Sequence, residues 1–252
     1  MIEIHSLATI GEIKPGSDLV AILGEALASA GLHGLRADDA LVVTQKIVSK
    51  AEGRFVDLGD VTPGTEALRL AELTRKDPRL VELVLEESSD VVRAAPNVLI
   101  TRHRHGYVMA NAGIDRSNIG EGSSDRVLLL PLDADVSAER LRRGLTAQLG
   151  SAPAVVISDS FGRPWRNGVV CVAIGASGLP SLLDKRGELD RDGRPLEVTQ
   201  IALADMIATA AGLATGEGAE GVPAALVRGL AWPSMSSPAS ALVRPIEEDL
   251  FR

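Results

Sequence analysis

The sequence predicts a mixed helix-and-strand fold, as one large domain or two small ones. Three observations predict it. Helix and strand signals alternate along the chain without a clean repeat. At 252 residues the chain is long enough to bury a full core. Hydrophobic residues make up 45% and charged residues 24%, ordinary values for a globular protein, but aromatics are only 2%, so the core must be built from Leu, Val, Ile and Ala.

The elements follow in order. Ser17 is placed to cap a helix over 18–30, with Leu19, Ile22, Leu23, Ala26 and Leu27 on one face. Residues 40–48 read as a strand and 65–74 as a helix. Asp77-Pro78 is a helix start, cap then proline in the first turn. That helix buries Leu80, Val81, Val84 and Leu85 and ends before Pro96. Residues 98–104 and 107–111 read as a hairpin turning at His105-Gly106, and 127–132 as a short strand. Ser137 caps a helix carrying Leu141, Leu145 and Leu149 at four-residue spacing, and Gly150 stops it. Strands are expected at 154–158, 169–174 and 224–228. The charged stretch 183–195 carries two turn signals. It reads as a solvated loop or as a flap over an anionic substrate, and composition does not choose between them.

Charge narrows the function classes. A formal net charge of -8 argues against a protein that mainly grips nucleic acid or anionic lipid. Small anionic ligands stay open, because they need only a local positive field. Cys171 is the single cysteine, so no internal disulfide forms and a cytoplasmic location is expected. It lies in an apolar run and reads as core. The start of the chain shows no signal-peptide pattern. The most apolar helix candidate, 201–214, carries Asp205 and is too short to span a bilayer.

Three acidic positions carry the chemistry. Asp159 follows the apolar run Ala154-Val155-Val156-Ile157, with Ser160 and Gly162 behind it. A strand ending in Asp-Ser holds a charge on a rigid platform at the start of a loop. Asp115 and Glu217 stand in similar glycine-flanked loops. Singly, each reads more simply as a cap or turn residue. Together they suggest a divalent-metal site that handles phosphate, because Asp and Glu are hard oxygen ligands suited to magnesium or manganese. The run from Thr215 to Val222 could wrap backbone amides around a phosphate, although on spacing alone it is a flexible turn and it matches no Walker sequence. Lys50 is a phosphate ligand or a snorkelling surface lysine. Arg163 and Arg166 flank Trp165 and would grip a carboxylate or phosphate, or pack on the indole. His5, His33, His103 and His105 show no metal spacing, and the last two read as solvated near a hairpin tip. No serine sits in a Gly-x-Ser-x-Gly elbow.

Longer motifs occur in a fixed order. They are Gln45-Lys46-Ile47-Val48-Ser49-Lys50-Ala51-Glu52-Gly53-Arg54, Glu86-Glu87-Ser88, Asn111-Ala112-Gly113-Ile114-Asp115-Arg116-Ser117-Asn118, Ser158-Asp159-Ser160-Phe161-Gly162-Arg163-Pro164 and Gly216-Glu217-Gly218. In these the chain resembles the coenzyme F420-0:gamma-glutamyl ligase family, over roughly residues 4–228. The resemblance implies α+β subunits with mixed sheets and flanking helices, two intimately packed subdomains, and a homodimer. It implies a GTP-dependent ligase that adds L-glutamate to the deazaflavin coenzyme F420-0, using divalent magnesium or manganese, two ions in all, and K+. Asp115 and Asp159 would hold one metal, and Ser160 and Glu217 the second. Gly11, Glu12, Ile13, Lys14, Gln45, Lys50, Asn118 and the loop Thr215, Gly216, Glu217, Gly218, Ala219, Glu220, Gly221 and Val222 would contact GTP. Gln45 and Lys46 stand where relatives can have small hydroxylated residues. The expected catalytic set is Asp159 and Lys50, with Arg163 and Arg166 added on chemistry alone to grip substrate carboxylates.

The whole chain, 1–252, is read as the ligase domain. Some relatives continue into a nitroreductase-like second half, and the tail from about residue 245 resembles the junction. The expected partners are coenzyme F420-0, L-glutamate and GTP, with no nucleic acid and no membrane. Two alternatives share the acidic loops: a metal-dependent phosphohydrolase acting on a nucleotide or phosphoester, and a non-catalytic GTP-binding regulatory module.

Overall fold

A computed structural model describes residues 1–120, 125–151 and 153–249. The described elements are β1 (Glu3–Ser6), α1 (Leu19–Ser29), β2 (Ala40–Thr44), α2 (Gln45–Ala51), β3 (Phe55–Asp57), α3 (Thr65–Thr74), α4 (Pro78–Glu86), β4 (Ser88–Ala95), β5 (Val98–His103), β6 (Val108–Ala110), β7 (Arg126–Leu128), α5 (Ala134–Leu149), β8 (Ala154–Arg163), β9 (Arg166–Ser177), β10 (Leu182–Asp184), β11 (Gln200–Ala202), α6 (Leu203–Thr215) and β12 (Ala224–Arg228). This is an α+β arrangement with mixed sheets. The end of the tail, 250–252, lies outside the described residues.

A five-stranded sheet in the order β1-β12-β2-β8-β9 forms the centre. Only β2 and β8 pair in parallel, Ala40 opposite Ala154 through Thr44 opposite Ser158. Both faces of this pair are covered, which is why their sequences are unbroken apolar runs rather than alternating ones. Leu41, Val43, Val155 and Ile157 face α1 and α5. Val42, Val156 and Val227 face Ile207, Ala208 and Ala211 of α6. Each fully buried Val or Leu here contributes about 1.5–3 kcal/mol over its exposed state. A third apolar cluster, with Leu70, Val81, Val84 and Leu99, joins α3 and α4 to the β4-β5-β6 sheet.

Several expectations need correction. Asp18, not Ser17, caps α1, its Oδ1 accepting from the Val20 and Ala21 amides. Ser17 accepts from the Lys14 amide instead. Asp133, not Ser137, caps α5, and Gly150 in the left-handed region ends it as expected. The strand at 40–48 stops at Thr44, and Gln45 opens α2. Ile47 and Val48 favour strand, but their burial against the sheet core overrides that preference. The strand expected at 127–132 pairs only over Arg126–Leu128. His103 is buried rather than solvated. The strand expected at 154–158 continues to Arg163, because β9 extends with it as a long antiparallel arm. Asp159 and Ser160 therefore sit on a paired strand, not in a loop. The charged stretch 183–195 folds on itself between β10 and β11, with Leu189 bridged to Pro195. No residue from it lines the cleft described below.

Candidate functional site

The central cleft opens where the parallel pairing of β2 and β8 ends, at Thr44 and Ser158, beyond the carboxyl end of β2 and beside the middle of β8. Its cavity has a volume of about 740 Å³. β2 hands over to α2 here, so Gln45, Lys46 and Lys50 enter the wall from one short helix. The Gly11 to Ile13 segment, Asn118 and the loop 215–222 form the rest of the rim. Asp115, Asp159, Ser160 and Glu217 all line the same cavity.

Each acidic residue is placed by a specific backbone device. Asn111, Ala112 and Gly113 all have positive φ (51°, 51° and 73°), a tight left-handed turn. It delivers Asp115 to a bridge with Leu128, where both backbone hydrogen bonds are 2.9 Å. A register shift between Ile157 and Ser158 re-aims β8 just before Asp159. Glu217 follows the end of α6, where Gly216 has φ 70°. With ψ at 179° this is a conformation that favours glycine, and an added side chain would also displace the Glu220 carboxyl, met at 2.3 Å. Asn118 Nδ2 donates to Gly218 O at 3.0 Å and tethers the glycine loop to the Asp115 segment.

The cross-strand pair Ser160 and Cys171 holds Glu217 at both oxygens. Ser160 Oγ donates to Oε2 at 2.6 Å and Cys171 Sγ to Oε1 at 3.3 Å. Burial first, then Glu217, pushes the Cys171 thiol up to about 12, so it stays protonated and donates. Lys50, nearly buried, donates to Glu12 Oε1 at 2.6 Å. Burial raises the Asp115 carboxyl, opposed by Lys46 and Gln45. Burial, reinforced by Asp115 and Glu217, pushes Asp159 up to about 7. The Ser160 amide and Lys46 offset only part of that rise.

These donors fit divalent cations. Three carboxylates and a hydroxyl gather in one cleft whose electrostatics press protons onto Asp159, a deficit of positive charge that hard cations would fill. Among the described residues no three His, Cys, Asp or Glu side chains form a closed cluster. Magnesium needs no such cluster, since one or two carboxylates hold it while phosphate oxygens and water complete its shell.

Not every expected residue reaches the cleft. Lys14 stays outside it. Arg163 and Arg166 lie at the far end of the β8–β9 arm, where Arg163 donates to Asn167 O at 3.1 Å. Trp165 between them is 89% exposed. Lys46 and Cys171 are among the lining residues that carried no site assignment from sequence. The spacing of Lys46 to Lys50 was the available signal for the first, since positions four apart share a helix face. Nothing local marked the second.

The family described as F420-0:Gamma-glutamyl ligase matches residues 8–229. The chain belongs to that family. It is 44% identical over 242 residues to the coenzyme F420:L-glutamate ligase of Methanothermobacter thermautotrophicus, covering 95% of this chain and 94% of the relative. The Methanopyrus kandleri protein of the same name is 43% identical over 246 residues, covering 96% of this chain and 94% of that one. The Methanocaldococcus jannaschii protein of that name is 41% identical over 214 residues, covering 85% and 84%. In this family member all the motifs that carry the resemblance, apart from Glu86-Glu87-Ser88, contribute residues to the cleft. Among the described residues no helix is long and apolar enough to cross a membrane.

Proposed function

We propose that this protein is a GTP-dependent ligase that adds L-glutamate to coenzyme F420-0, forming gamma-glutamylated coenzyme F420. One observation carries the reading: Asp115, Asp159, Ser160 and Glu217 meet Lys50 and the glycine loop 215–222 around a single cavity. The family to which the chain belongs supports it. Asp115 and Asp159 would hold one divalent cation, and Ser160 and Glu217 a second. When bound, the cations supply charge neutralisation on the triphosphate and align donor with acceptor.

The chain's own residues do the rest. Lys50 binds phosphate after exchanging its Glu12 partner. The amides of the glycine loop cradle the phosphates, and Asn118 keeps that loop in place. The terminal phosphoryl group passes from GTP to the free carboxylate of the acceptor, giving an acyl phosphate and GDP. The amino group of glutamate then attacks the acyl carbon, phosphate leaves, and an amide forms. Holding the reactants together in this order supplies part of the advantage over solution. A homodimer as working unit and K+ as a monovalent activator belong to the same proposal, on the family resemblance.

Incubation with GTP, manganese, coenzyme F420-0 and L-glutamate, followed by mass spectrometry, tests it. A mass gain of one or more glutamyl units is expected. Free phosphate without that gain would identify a phosphohydrolase, and GTP binding without either product a regulatory module. Asp159→Ala should lower ligation by more than about a thousandfold while circular dichroism stays native, since catalytic electrostatics of this kind are worth several kcal/mol. Near-normal ligation by that variant would remove Asp159 from the site.

A further inference from the structure

We infer that Gln45 is a positioning residue that commits Asp115 to bind a divalent cation through one oxygen, Oδ1; this rests on the metal reading proposed above. Gln45 opens α2 and is 2% exposed. Its Nε2 donates to Asp115 Oδ2 at 2.6 Å. Lys46 Nζ stands 3.4 Å from the same oxygen and donates to Ser117 O at 3.2 Å. Oδ2 is therefore occupied by protein donors, while no described residue donates to Oδ1. A carboxylate so held presents a single open oxygen and a fixed plane.

The orientation of the amide is itself determined. Ser49, fully buried one helical turn on, donates its hydroxyl to Gln45 Oε1 at 2.9 Å. With the oxygen fixed there, the NH2 end must face Asp115. A flipped amide would set oxygen against oxygen at the contact that is now 2.6 Å. Ser49, Gln45 and Asp115 thus form a relay from the floor of α2 to the cleft. Outer partners of this kind typically change metal affinity about 10- to 100-fold when removed. The resemblance placed Gln45 against GTP; the geometry points to the metal ligand instead.

Manganese binding to the 252-residue chain without nucleotide, followed by electron paramagnetic resonance of free Mn2+, reads this directly. Gln45→Leu keeps the side-chain volume and removes the donor. Its Mn2+ dissociation constant should rise about 10-fold or more, with GTP affinity at saturating manganese unchanged. Ser49→Ala should weaken Mn2+ binding in the same direction by a smaller factor. It keeps the test alive if the leucine variant does not fold. Wild-type Mn2+ affinity in either variant would overturn the relay. A Gln45→Leu protein with normal Mn2+ binding but weakened GTP binding would make Gln45 a nucleotide contact. Wild-type protein that binds no Mn2+ would instead bring down the metal reading, and this assignment with it.

Discussion

At the scale of single residues, the unusual object is Asp159. Its folded-state carboxyl is raised to about 7 by burial and by two neighbouring carboxylates, against about 3.9 in an unfolded chain. Between those values the folded state holds more protons than the unfolded one, so stability of the metal-free protein falls as pH rises through this window. Asp159→Asn removes that penalty. At pH 8 the metal-free variant should be more stable than wild type by roughly 1–3 kcal/mol, below the ceiling of about 1.4 kcal/mol per unit. At pH 4 the two should melt together. Saturating manganese should reverse the order at pH 8. Urea denaturation at both pH values, in chelator and in manganese, measures all of this. A variant that is destabilised in chelator at pH 8 would show that Asp159 is held by favourable contacts rather than under repulsion.

Elements depend on clips that are distant in sequence. Asp39 precedes β2 and is fully buried; its carboxylate takes Nε and a terminal NH2 of Arg228 from β12, both at 2.8 Å, and the Arg36 amide at 2.8 Å. Burial alone would raise this carboxyl, but Arg228 and the Arg36 amide outweigh it and hold it low. Its contribution is complete above the unfolded value of about 3.9 and is lost as pH falls through the lower folded value. Asp39→Ala should cost about 3 kcal/mol or more, since it strands a partly buried guanidinium. Its stability should depend less on pH below about 4 than the wild type does. A loss under about 1 kcal/mol in urea denaturation would show that solvent replaces the clip.

The same sequence separation decides what could be read in advance. α3 was legible to the residue, and α5 in its last turn, where leucine spacing and the terminal Gly150 lie within one helix, although the cap of α5 was misplaced. β12 was legible as a short apolar run. α2 was not, since Ile47 and Val48 speak locally for strand while Gln45 and Ser49, or Lys46 and Lys50, speak for helix only once the strand is known to leave the sheet at Thr44. The three-residue strands β3, β10 and β11 offer too few positions for alternation to register. In the site, the acidic residues stood out because motifs surround them. Gln45 as partner of Asp115 did not, because the two are 70 residues apart and meet only through a left-handed turn that no local pattern specifies.

For the molecule as a whole, the cleft gathers segments from the beginning, middle and end of the chain, so a ligand bound there ties them together. The balance of charge decides which ligand can do so alone. Among the described residues, five carboxylates line the cavity (Glu12, Asp115, Asp159, Glu217 and Glu220) against two ammonium groups, Lys46 and Lys50. One of those carboxylates, Glu220, already takes the Gly218 amide at 2.8 Å, and Glu12 already takes Lys50. A bare triphosphate must therefore displace both and enter a negative field. Divalent cations lower that barrier by neutralising Asp115, Asp159 and Glu217 first. GTP without metal should accordingly produce little thermal shift, and manganese alone a modest one. Both together at about 100 times the dissociation constant should add about 2.7 kcal/mol, which for a chain of this size is about 5–10 °C. Differential scanning fluorimetry under the four conditions checks it. Equal shifts from GTP with and without manganese would mean that the triphosphate is held by Lys46, Lys50 and the glycine loop, with the acidic residues outside its contact.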